Sequence, residues 1–203
     1  ILCIVRLTHM KDIVEIKKET LIPKGGTAGL ILKLGLPSGV TQAVFSLALV
    51  FVQSLTNQMG DFVPAINVAI MRVDGFAVLP AFTFGLAIST YIGQNLGARK
   101  TDRLKSGEKA ALMLALGTSM VIVLALLLFG RQLIEIFINE ESTDPDVYWK
   151  VVSLGGRGLQ ILAAGYIAMG ITQVYGGILR AAGDTVSTMV ISLITTVVVR
   201  VPL

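Results

Sequence analysis

The stretch Tyr91-Ile-Gly-Gln-Asn-Leu-Gly-Ala-Arg-Lys-Thr-Asp-Arg-Leu-Lys-Ser-Gly-Glu-Lys109 changes character half-way along. An almost uninterrupted apolar run precedes it, and past Gly97 come Arg99, Lys100, Arg103, Lys105 and Lys109. Two structures suit such a sequence. A glycine loop can cradle a phosphate, or a helix can leave a membrane on the side where cations collect. Gly93-Gln-Asn-Leu-Gly97 lacks the Lys-Ser/Thr pair of a phosphate-binding loop, and no strand signal precedes it. The segment therefore reads as the end of a membrane helix, with Gly97 suited to a left-handed cap.

Composition points the same way. Of 203 residues, 54% are hydrophobic and 15% charged, whereas soluble domains carry about 25% charged residues. A water-soluble fold this apolar would display large exposed patches. The net charge of +4 calls for no nucleic acid, because loops facing an anionic membrane surface are basic. Cys3 is the single cysteine and His9 the single histidine. That excludes an intrachain disulfide, leaves no Cys/His set for a metal, and supplies no Ser-His-acid triad. Ile1–Val5 and Val199–Leu203 are both apolar and read as interrupted spans, so the sequence is expected to be a piece of a longer polypeptide.

A membrane helix needs about 20 apolar residues, since lipid satisfies no bare backbone. Spans are expected near 30–55, 64–92, 110–130 and 151–179, with a fifth over 186–203. Charge alternates between them. Residues 6–33 hold Arg6, Lys11, Lys17, Lys18, Lys24 and Lys33, and 56–63 hold no Lys or Arg. Residues 131–150 carry Arg131 and Lys150 against Glu135, Glu140, Glu141, Asp144 and Asp146. Basic loops stay cytoplasmic, so 6–29, 97–109 and 180–185 are expected inside. Tyr148 and Trp149 would then sit at the outer interface and Tyr91 near the inner one. In the last turn, Gly183 suits a helix end and Asp184 a cap for the next helix.

Gly155, Gly156, Gly158, Gly165, Gly170, Gly176, Gly177 and Gly183 crowd the fourth span. Either they let helices approach closely, or they let this span bend or slide. Pro37, Pro64 and Pro80 can free backbone groups that line a cavity.

Polar groups at membrane depth are costly and mark function or pairing. Gln42, Ser46, Gln53 and Asn57 step by intervals that share one helical face, as do Asn67 with Asp74 and Tyr166 with Gln173. Asp74 lies about 6 Å from the midpoint of its span. One reading joins these faces around a watered cleft, with Asp74 as a proton or cation site. The other makes Asp74 a structural partner of Arg72 or of a neighbouring span, Arg200 being a further candidate.

Gly93-Gln-Asn-Leu-Gly-Ala-Arg-Lys100, following Leu79-Pro80, resembles the end of the second helix in a lobe of the multidrug and toxic compound extrusion (MATE) transporters. Gly177-Ile-Leu-Arg-Ala-Ala-Gly-Asp-Thr185 is similar to that family's fourth helix and turn, Arg200-Val-Pro-Leu203 to the start of its eleventh span, and Leu34-Gly-Leu-Pro37 to the entry of its seventh. The resemblance implies an all-α membrane bundle forming most of the second lobe of a twelve-helix exporter in the cell's inner membrane. It further implies exchange of H⁺ or Na⁺ for amphipathic, often cationic compounds, with no other cofactor, and a missing N-terminal lobe as partner. An exporter's cleft would be lined by Gln42, Phe45, Gln53, Asn67, Met71, Tyr166 and Gln173, with the ion coupled either by Asp74 or, as resemblance to the DinF-type branch implies, by acids in the missing lobe. Where the NorM-type pattern has Glu and Asp, this chain has Phe45 and Gly170, which implies greater closeness to the DinF-type branch. The alternatives are a flippase for lipid-linked sugars, which would gather Arg72, Arg157 and Arg200 in one cavity, and a scaffold subunit whose polar faces only join helices. An enzyme ranks behind all three.

Overall fold

A computed structural model describes residues 25–60, 62–138 and 145–194. Within them the chain is helical: α1 Gly25–Asn57, α2 Phe62–Gly97, a 3-10 turn Thr101–Arg103, α3 Leu104–Glu135, α4 Pro145–Ala181 and α5 Thr185–Leu193. Helices α1 to α4 are long and apolar enough to cross a membrane. Cys3, His9 and Arg200 lie outside the described residues.

The helices outrun the apolar runs that announced them. Helix α2 has 36 residues, about 54 Å at 1.5 Å per residue, against a hydrocarbon core of about 30 Å. Apolarity ends at the lipid, but backbone pairing continues into the headgroup region. Pro37 and Pro80 sit inside α1 and α2. Nearby hydroxyls donate to neighbouring carbonyls: Thr41 to Pro37 O at 2.9 Å and Thr83 to Leu79 O at 2.9 Å. Such back-bonding satisfies hydroxyls that lipid cannot.

The end of α2 corrects the sequence reading. Gly97 is still helical, and the left-handed residue is Arg99, with φ 57°. The Arg99 amide donates to Leu96 O at 3.0 Å and the Lys100 amide to Asn95 O at 2.9 Å. This pair of bonds is a Schellman cap with Arg99 in the place glycine favours. The α4 terminus follows the expected form. Gly183 has φ 85°, its amide donates to Arg180 O, and the Asp184 amide donates to Leu179 O. The Asp184 carboxylate then accepts from the Ser187 amide at 3.1 Å and caps α5. Ser187, through its hydroxyl more than its amide, holds the Asp184 carboxyl below its ordinary value.

Helix α4 is the spine, packed on both α2 and α3, while α1 packs mainly on α5 and lightly on α2. Contacts fix the directions. Ile70 lies against Gly158, Asp74 against Tyr166, and Gly85 against Gln173 and Gly177, so α2 and α4 run parallel. Ile134 meets Gly155, Gly130 meets Gly156, and Ser119 meets Gly170, so α3 runs against them. The connectors bearing Arg99, Lys100, Arg103 and Arg180 therefore leave the bundle at one end, called here the basic end.

Apolar side chains gain little by leaving lipid for protein, so contact distance decides association. Of the glycines named above seven lie in α4, and five of these, Gly155, Gly156, Gly158, Gly170 and Gly177, touch α2 or α3. Gly165 has no other atom near the place of a Cβ, and Gly176 only its own helix's Arg180. The buried core forms two clusters along this seam. The larger holds Val73, Leu126, Ile134, Val152, Leu159 and Tyr166, and the smaller Ile88, Ile92, Ala115 and Val174.

Candidate functional site

Two polar groupings emerge from the predicted residues. The first joins α1 to α2. Asn67 Nδ2 donates to Gln53 Oε1 at 2.8 Å, and Gln53 Nε2 donates to Asn57 Oδ1 at 2.9 Å. Asn67 Nδ2 also reaches Met71 Sδ at 3.7 Å. The shared face of Gln53 and Asn57 makes this possible: residues four apart on a helix stand one above the other.

The second joins α2 to α4. The buried Tyr166 hydroxyl donates to Asp74 Oδ1 across the interface. Asp74 is half-buried and lies about 18 Å along the helix from Phe62. Its partner is thus a tyrosine of a neighbouring span. Arg72, offset on the helix, is exposed and makes no ion pair with it among the described residues. A hydrogen bond to an ionised carboxylate is shorter and stronger than one between neutral groups, so the charge on Asp74 bears directly on how tightly α2 and α4 hold together.

The remaining candidates stand apart from these groupings. Gln42 and Phe45 are exposed on α1, toward its N-terminus from the Gln53 bridge. Gln173 meets α2 through its backbone at Gly85 rather than through its amide. Gln42 and Ser46 continue the polar face of Gln53 and Asn57 and have no side-chain partner among the described residues. Amides are costly to leave bare in hydrocarbon, so this face belongs against water or protein.

Gly170, where the NorM-type pattern has Asp, faces α3. A Cβ there would stand 2.8 Å from Ser119 Oγ and 3.7 Å from the Ala115 carbonyl oxygen, so a larger residue must first turn the Ser119 hydroxyl aside. Arg72 borders a recess of about 360 Å³ with Pro64, Val68, Phe137 and Ile138. Arg157 is exposed on α4 and does not border that recess. Among the described residues no three His, Cys, Asp or Glu side chains cluster as metal ligands would.

Sequence reasoning missed a clasp at the end opposite the basic one. Arg131 stands 5.3 Å from the Trp149 ring centroid and 3.5 Å from Glu135, and Tyr148 meets Trp149 edge-on. Trp149 is exposed as expected of an interface residue, but Tyr148 is buried in the core. The four-residue step from Arg131 to Glu135 was the available signal.

The MatE family model matches residues 37–203. The chain belongs to the MatE family. MatE relatives include the probable multidrug resistance protein YpnP of Bacillus subtilis, 33% identical over 181 residues, which are 89% of this chain and 39% of that protein. YoeA, a second probable multidrug resistance protein of that bacterium, is 27% identical over 85% of this chain and 36% of its own length. A probable multidrug resistance protein NorM of Thermotoga maritima is 23% identical over 93% of this chain and 39% of its own length. This MatE chain thus spans about two fifths of the curated relatives it matches, and is a multi-pass, all-α membrane bundle.

Proposed function

We propose that this chain supplies most of the second lobe of a secondary active exporter of amphipathic, often cationic compounds, a transport protein rather than an enzyme. The observation that carries the reading is the Tyr166–Asp74 hydrogen bond between α2 and α4 at membrane depth. A single carboxylate can hold a proton or face a cation, but not both. With Asp74 ionised, Tyr166 ties α4 to α2, and a cationic passenger finds a counter-charge. Protonation weakens that tie and removes the charge, so ion entry and cargo release exclude one another. The exposed amide face of α1, from Gln42 to Asn57, forms the wall toward the other lobe, with Phe45 and Met71 as adaptable apolar contacts. Alternating access follows from rocking of the lobes, the basic end being cytoplasmic. Phe45 and Gly170, standing where the NorM-type pattern has acids, favour the DinF-type branch, with H⁺ or Na⁺ as coupling ion.

The test is reconstitution of the full-length protein in proteoliposomes, with H⁺ and Na⁺ gradients imposed separately. Asp74→Asn is expected to abolish pH-driven efflux of a fluorescent cation while the protein stays folded. Undiminished pH-driven efflux removes Asp74 from coupling.

A further inference from the structure

Between α2 and α3 at the basic end lies an open apolar recess of about 320 Å³, bordered by Phe84, Ile88, Tyr91, Gly107, Ala111 and Leu114. Among the described residues no charged side chain borders it, but cations stand close by. The Tyr91 ring lies over Gly107, and its hydroxyl donates to the Arg103 carbonyl at 3.4 Å, which sets the Arg103 backbone beside this border residue. Arg99 and Lys100 are exposed in the adjoining turn. None of these cations has a carboxylate partner among the described residues. Arg99 is also held in a left-handed conformation that disfavours side chains other than glycine.

We infer that this recess binds one anionic phospholipid of the adjacent leaflet, its acyl chain along Phe84, Ile88 and Leu114 and its phosphate at Arg103, Arg99 and Lys100. Selection rests on the headgroup. An acyl chain gains little by leaving other acyl chains, whereas a basic pocket between helices at the membrane surface prefers a negative headgroup. Arginine is suited to this because its planar fork pairs with two phosphate oxygens.

The experiment is native mass spectrometry of the full-length protein released from detergent with phosphatidylglycerol or phosphatidylcholine. The wild type is expected to retain one phosphatidylglycerol at least tenfold more than phosphatidylcholine. Arg103→Gln should reduce that preference about threefold or more. Ala110→Phe fills the recess from an exposed position and should abolish retention with the charges intact. Equal retention of both lipids, or a preference untouched by both variants, overturns the proposal. So does a wild type that retains no lipid.

Discussion

Replacing Gly85 by alanine sets a methyl carbon 2.7 Å from the Gln173 carbonyl oxygen and 3.2 Å from its carbonyl carbon. Ordinary contact begins near 3.4 Å, so α2 and α4 must part by about 0.7 Å. Backbone cannot turn aside as a side chain can, and overpacking of this kind costs about 1–3 kcal/mol. Gly165→Ala is the matched control. It lies on the same α4 but meets nothing within 4 Å, so the alanine should gain about 0.5–1 kcal/mol through its better helix propensity. Gly85→Ala shares that gain, so the two variants should differ by the packing cost alone, about 1–3 kcal/mol, in reversible denaturant unfolding of the full-length protein in mixed micelles. Gly177→Ala acts on the same crossing, through Gly85 O and Ile88. Once one alanine has parted the helices, the second should cost less than it does alone. Equal stabilities for Gly85→Ala and Gly165→Ala, or strict additivity of Gly85→Ala with Gly177→Ala, would refute a backbone-to-backbone crossing.

Other outcomes follow from the caps and the bridges. Tyr166→Phe should destabilise by about 1–3 kcal/mol by taking a donor from a half-buried carboxylate, and unchanged unfolding would deny the α2–α4 bond. Asn67→Ala should cost about 0.6–1.7 kcal/mol, the range for hydrogen bonds between membrane helices, with Asn67→Gln an intermediate case in the same unfolding assay. Gly183→Ala should cost about 1–2 kcal/mol, because φ 85° crowds a Cβ even in open space. The Asp184 cap is a matter of pH. Its folded carboxyl titrates below the unfolded one, so its contribution is present above the unfolded value of about 3.9 and fades as pH falls through the folded one. Hydrogen exchange should show the Ser187 amide losing protection below about pH 4, and protection unaltered to pH 2 would contradict the cap.

Sequence and structure part company in instructive places. Apolar runs longer than a bilayer is thick announce helices, because no other open structure survives in lipid, and α1 to α4 were legible for that reason. Their ends were not. The last turn of α2 is polar enough to resemble a loop, yet the amides that follow it, Ala98, Arg99 and Lys100, still pair with the carbonyls of Gln94, Leu96 and Asn95. Gly97 looked like the cap because glycine usually holds that conformation, but the bonds to Asn95 and Leu96 put the left-handed residue at Arg99. Periodicity placed Asn67 with Asp74, and Tyr166 with Gln173, on common faces. It could not say that α2 neighbours α4 in parallel, and so could not choose among a tyrosine, Arg72 or Arg200 for Asp74. Gly170 was legible as a departure from a pattern, but its fit against Ser119 is a property of two helices that only coordinates reveal.

The bridge from Gln53 to Asn67 differs in kind from the glycine crossings behind it. A carboxamide trades one partner for another with little loss, whereas a backbone pressed against a backbone has nothing to offer a newcomer. Water or another polar group can take the place of either amide, so the contact between α1 and α2 can be exchanged while the crossings of α2, α3 and α4 stay as they are. A covalent tether across those two side chains would remove that freedom and leave the backbone contacts untouched.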